Sequence, residues 1–134
     1  MLNENHRRII KEGFEAINWS IDKGIEDKQT TIGFHASLIA VNILELYLHE
    51  KNLIRVDYLL KHEWFKSKNK IKEKLNFDFD KKGEILNLLF KIEEKRNVLC
   101  YGKKQPIDTI NNILESLYEL KGLIETMGVK IEIS

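Results

Sequence analysis

The sequence predicts an all-α protein, an up-and-down four-helix bundle with an additional short helical segment between its second and fourth main helices. Three observations carry this. One proline and seven glycines in 134 residues leave few helix breakers. Leu, Ile, Lys and Glu, which favour helices, are abundant. Four long stretches repeat apolar residues every three or four positions. A hydrophobic share of 43% with 32% charged residues fits one compact domain over 1–134.

The first helix is expected over about 3–27, with Ile10, Phe14, Ile17, Ile21 and Ile25 as its inward stripe. Trp19 lies off that stripe and is read as a second contact face, whereas His6, Arg7 and Arg8 read as a solvated basic first turn. The second helix, about Thr31–Lys51, is apolar nearly all round between Phe34 and Leu48, which suits the centre of a bundle. Gly33, Ala36, Ser37 and Ala40 permit close helix approach, and Thr30 or Thr31 can cap the start.

Arg55–Phe65 reads as a short third helix with Val56, Leu59, Leu60 and Phe65 inward. In the lysine run from Lys66 to Lys74, Ile71 and Leu75 suggest two turns packed on the bundle. Lysines at period two cannot share one helix face, so the run is a poor phosphate-tracking stripe. Trp64 and Phe65 beside it offer base-stacking rings. Asp80 is placed as N-cap of the fourth helix, about Lys81–Tyr101, which stops at Gly102. Pro106 suits the first turn of a fifth helix carrying Ile110, Ile113, Leu114, Leu117, Leu120 and Ile124 and ending near Gly128. The tail Val129–Ile133 alternates like a strand too short to stand alone, and is expected to fray or to pair with another chain.

A formal net charge of +1 supplies no global field, so a nucleic-acid partner must be met by a local patch. The lone Cys100 cannot close an intrachain disulfide. No signal peptide and no apolar run approaching 20 residues is evident, which points to a cytoplasmic chain with no membrane partner. Neither a metal nor a cofactor is expected. There is no His-Glu-x-x-His, no cysteine pair and no Gly-rich phosphate loop, and His35 and His49 stand about 21 Å apart along an ideal helix.

The fourth helix poses the functional question. Ile85, Leu88, Leu89, Ile92 and Leu99 form a seam, and Arg96 falls on it where a leucine would be expected. A guanidinium on such a seam either snorkels beside the helix end or must meet anions, because an unpaired buried charge costs several kcal/mol or more. Glu45, an acid in the apolar run of the second helix, is the candidate counter-ion. The competing placement is outward, between Asn42 and His49.

Arg96-Asn97 followed by Val98, Tyr101 and Gly102, on the penultimate long helix of a small helical chain, resembles the signature of the HEPN domains. The second-helix run of small residues followed by Glu45 resembles that family too. The resemblance implies a metal-independent ribonuclease site built from an Arg and a His a few residues further on, at a dimer seam. It implies a prokaryotic toxin–antitoxin or nucleic-acid defence role, with a separate minimal nucleotidyltransferase as partner.

Tyr101 stands where the family carries its His, and Lys103 where a tyrosine often follows. An imidazole titrates near neutrality, about pH 6.5, whereas a phenol of pKa about 10 is a poor base but can hydrogen-bond a phosphate. The leading expectation is therefore a homodimer that binds RNA or nucleotide through Arg96, Asn97 and Tyr101, with Glu45, Lys103 and Lys104 alongside, and with little or no catalysis. The alternatives are an active metal-independent endoribonuclease using Arg96 with Tyr101 as catalytic residues, and a non-enzymatic helical scaffold.

Overall fold

The computed structural model describes residues 2–132, and all of its long elements are helices. Its elements are α1 (Asn3–Gly24), α2 (Gln29–Glu50), α3 (Lys68–Lys74), α4 (Lys82–Tyr101) and α5 (Ile107–Thr126), with 3₁₀ turns at Ile25–Lys28 and His62–Lys66. The four long helices form the bundle, and α2 is its centre, packing on α1, α4 and α5. An apolar window within Asn3–Glu50 does have the length and composition to cross a membrane, against the sequence expectation. It is 78% buried inside the bundle, so its apolar surface is already covered by neighbouring helices.

Contacts fix the directions. His6 at the start of α1 meets Asn42 near the end of α2, and Gly13 lies against Ile39, so these two helices are antiparallel. Gly33 near the start of α2 lies against Leu99 near the end of α4, which is again antiparallel. The backbone N–H of Gln105, just before α5, donates to the Gln29 side chain at 2.7 Å, so α5 starts beside the start of α2. The result is the expected up-and-down order.

The buried face of α1 is His6, Ile10, Gly13, Ile17 and Ser20, rotated from the expected stripe. Ile21 falls outside that face and is exposed, and the helix ends at Gly24, whose φ of 136° suits a glycine. His6 is fully buried and Arg7 ties two elements together. The Arg7 Nε donates to the Lys130 carbonyl at 2.8 Å, and its Nη2 lies 2.7 Å from Glu50 Oε1. Trp19 is not buried in a second face. It is half exposed with Lys28 Nζ 5.3 Å from its ring centroid.

Other departures have equally local causes. No third helix forms over Arg55–Lys61: Val56 and Leu59 are exposed, and only Leu60 and Phe65 turn inward. The Leu60 N–H, which a helix would claim, instead donates to Glu45 Oε1 at 2.5 Å. Neither Thr30 nor Thr31 caps α2. A 3₁₀ turn feeds straight into that helix, and the Thr30 hydroxyl donates to the Leu99 carbonyl at 3.2 Å. Asp80 is not a cap either, since α4 follows a left-handed Lys81. That turn is organised by Lys82, whose ammonium donates to the carbonyls of Leu75 and Phe77 at 2.9 and 2.7 Å. Pro106 sits one position ahead of α5, in extended conformation.

The lysine run is α3 with Ile71 and Leu75 buried, as the spacing suggests, and Ser67 Oγ accepts from the Lys70 N–H at 3.2 Å. The tail neither frays nor stands free as far as it is described. Val129 and Ile131 are buried in the core, and Ile133 lies outside the described residues.

Candidate functional site

Arg96 is turned inward on the buried seam of α4, with 7% of its surface exposed. No carboxylate among the described residues lies within ion-pair distance of its guanidinium. The Tyr101 ring lies beside it, with its centroid 5.7 Å from Cζ. Arg96 and Phe34 together form a ridge between two concavities. The larger, about 410 Å³, is walled by the outer side of α2 from Phe34 to Glu45 and by the Leu59–Glu63 segment. The smaller, about 310 Å³, is lined by Thr30, Thr31, His35, Cys100 and Tyr101.

The residues singled out in the sequence do not all converge here. Tyr101 is 77% exposed at the rim of the smaller concavity. Asn97 turns away, into a separate hollow formed with Phe65, Lys66, Lys68, Phe90 and Glu93. Successive residues on a helix point about 100° apart, so Arg96 and Asn97 cannot share one cleft unless it wraps the helix. Lys103 and Lys104 are exposed beyond the helix end. Lys104 pairs with Asp27 at 3.2 Å, and neither lysine lines an Arg96 concavity. Phe65 is buried, so the proposed pair of stacking rings is reduced to Trp64, over which Lys74 Nζ sits at 5.2 Å from the centroid.

Glu45 shares the larger concavity with Arg96 but is not its counter-ion. Its Oε1 accepts from the Leu60 N–H, and its Oε2 lies 3.2 Å from His6 Nε2. Burial pushes the Glu45 carboxyl above the ordinary carboxylate range, with the Leu60 N–H pulling the other way. Burial also lowers His6 and His49, keeping both rings neutral at neutral pH. One ligand-capable atom from each of His6, Glu45 and His49 lies within 4.8 Å of the other two.

The sequence reading missed His6 because three basic residues in a first turn resemble a solvated terminus. The signal was there. His6, Ile10, Gly13 and Ile17 follow the spacing of a buried stripe. A second buried acid, Glu93, was also passed over on the seam of α4. His62 Nδ1 lies 3.0 Å from both of its oxygens, and Ser37 Oγ donates to it at 3.4 Å.

Burial raises the Cys100 thiol above its usual pKa, an effect opposed by the positive charge of Arg96 and reinforced by Glu93. The thiol points to the Thr30 carbonyl at 3.6 Å. Chemically the region offers a cation held out of bulk water, an exposed phenol and apolar walls. Comparison with known proteins adds no relative: no protein-family model, curated protein or solved structure matches this chain.

Proposed function

We propose that this chain is a HEPN-like dimer of a prokaryotic toxin–antitoxin or defence type, cytoplasmic, which binds the phosphate of RNA or of a nucleotide at Arg96 with little or no catalysis. The observation that carries the reading is the inward guanidinium of Arg96, which has no carboxylate of the described residues within ion-pair distance and lines two concavities. A cation kept from water without an acid partner is relieved by an anionic ligand, and Arg matches phosphate with paired donors. The exposed Tyr101 ring beside it offers a stacking face for a base. Phe34, Leu38 and Leu59 stay solvent-exposed around the same cleft, which favours a second copy of the chain as cover. The minimal nucleotidyltransferase partner rests on the family resemblance alone.

The test is fluorescence polarisation with a labelled RNA oligonucleotide and with a labelled nucleotide, paired with gel assays for cleavage with and without chelator. Light scattering during gel filtration reads the oligomeric state. Arg96→Met is expected to weaken binding about 10- to 100-fold, the worth of a charge-assisted phosphate contact. Tyr101→Phe should leave RNA intact, as the wild type does. Chelator-resistant cleavage abolished by both substitutions would replace this reading with the endoribonuclease. Absence of any binding, with a dimer that dissociates in Arg96→Met, would leave the scaffold.

A further inference from the structure

Three residues with acceptor atoms, His6, Glu45 and His49, converge where the start of α1 crosses the end of α2. Asn42 fixes the first. The atom of its amide that faces the Leu38 carbonyl at 2.8 Å must be the nitrogen, so Oδ1 faces His6 Nδ1 at 2.9 Å and that ring nitrogen carries the hydrogen. In the neutral ring, Nε2 is then a bare lone pair, and among the described residues it has no hydrogen-bond partner. The same logic applies to His49. Its Nε2 faces the Arg55 carbonyl at 3.1 Å and must donate, leaving Nδ1 bare, buried and without a partner among the described residues. The third acceptor is Glu45 Oε2, at 3.2 Å from His6 Nε2 yet out of line for a hydrogen bond with it.

Two lone pairs side by side at that distance repel unless a positive charge, a shared proton or a metal ion, sits between them. Donor atoms around a tetrahedral ion held at about 2.0–2.1 Å stand about 3.3 Å apart, close to the His6–Glu45 separation. We propose that His6, Glu45 and His49 form a binding site for a divalent transition metal ion of the zinc class, with two imidazole nitrogens and one carboxylate oxygen as ligands. Imidazole with a single carboxylate suits zinc or cobalt over calcium or magnesium.

The supporting contacts are those such a site needs. Each histidine donates its other ring nitrogen to a carbonyl oxygen, and the free Glu45 oxygen is held by the Leu60 N–H. Glu45 and His49 are four residues apart and project from one face of α2, while His6 arrives from α1. The widest side of the triangle, within 4.8 Å, is what binding would draw closed. A bound ion would clamp α1 onto α2 and, through Leu60, hold the segment that walls the Arg96 cleft.

The experiment uses the full chain stripped with chelator and titrated with Zn²⁺ by calorimetry and with Co²⁺ by visible absorption. One equivalent is expected to bind, Co²⁺ should give the ligand-field bands of a low-symmetry four- or five-coordinate ion, and Zn²⁺ should raise the melting temperature. Glu45→Gln and His49→Gln should each weaken binding by about 100-fold or more, and Asn42→Leu, which releases the His6 tautomer, by about 10- to 100-fold. His35→Gln should bind as the wild type does. Should the fully buried His6→Gln variant fail to fold, the part-exposed His49→Gln carries the test. A natively folded wild type that takes up neither ion, or uptake unchanged in Glu45→Gln and His49→Gln, overturns the site.

Discussion

A single charged side chain on an apolar seam is legible from spacing, and Arg96 was. What it touches is not, because its neighbours come from other helices. Cys100 gives an independent reading of where that charge sits, since the guanidinium opposes the effect of burial on the thiol. Arg96→Met keeps the side-chain length and removes the charge. It is expected to move the pH midpoint of Cys100 alkylation by iodoacetamide to higher pH, because less thiolate survives at any given pH. The midpoint, rather than the absolute rate, is the measurement, as a change in access alters the rate at all pH values alike. An unmoved midpoint would place the guanidinium away from the thiol. Glu45 shows the opposite limit. On a helix apolar all round, periodicity cannot select a face, and the acid found His6 and a backbone N–H instead of Arg96.

Among the elements, α2 was the easiest to recognise and the hardest to place. Its all-round apolarity announces a central helix, yet the contacts that seat it depend on two glycines. A methyl group at Gly13 would lie 2.6 Å from Ile39 Cγ1, so α1 rests on α2 with no room for a side chain. At Gly33 it would lie 3.0 Å from Leu99 Cβ, the approach of α2 to α4. Gly122, inside α5, faces open space with nothing within 4 Å. Thermal and denaturant unfolding should therefore separate two chemically identical changes. Gly13→Ala is expected to destabilise by about 1 to 3 kcal/mol through overpacking, and Gly122→Ala to stabilise by about 0.5 to 1 kcal/mol through helix propensity. Equal effects would mean that the α1–α2 contact is looser than described. The Arg55–Lys61 segment was misread as helix because its apolar residues have helical spacing. Its backbone donor at Leu60 is taken by a side chain 15 residues away.

Across the whole molecule, the last described residues close the fold. Val129 and Ile131 are buried, Arg7 holds the Lys130 carbonyl, and Lys121 Nζ lies 3.1 Å from Glu132 Oε1. Ile131→Ala is thus expected to cost about 2 to 5 kcal/mol in chemical denaturation, as for any fully buried isoleucine. A frayed tail would give a loss close to zero. The alternating pattern of the tail misled because a short run of β-branched residues looks the same whether it pairs as a strand or plugs the end of a bundle.

The sequence by itself determined the helical class, the four long rods and the central place of α2, and it put Arg96 on the seam of α4 without deciding whether its head turns inward. Each follows from a period of 3.6 residues and from the near absence of breakers, which are local properties. Only the tertiary structure decided which polar groups meet: His6 with Asn42 and Glu45, His62 with Glu93, and Asn97 apart from Arg96. Those pairings depend on the rotation and register of one helix against another, which are set by close approach at Gly13 and Gly33 and which no single helix encodes.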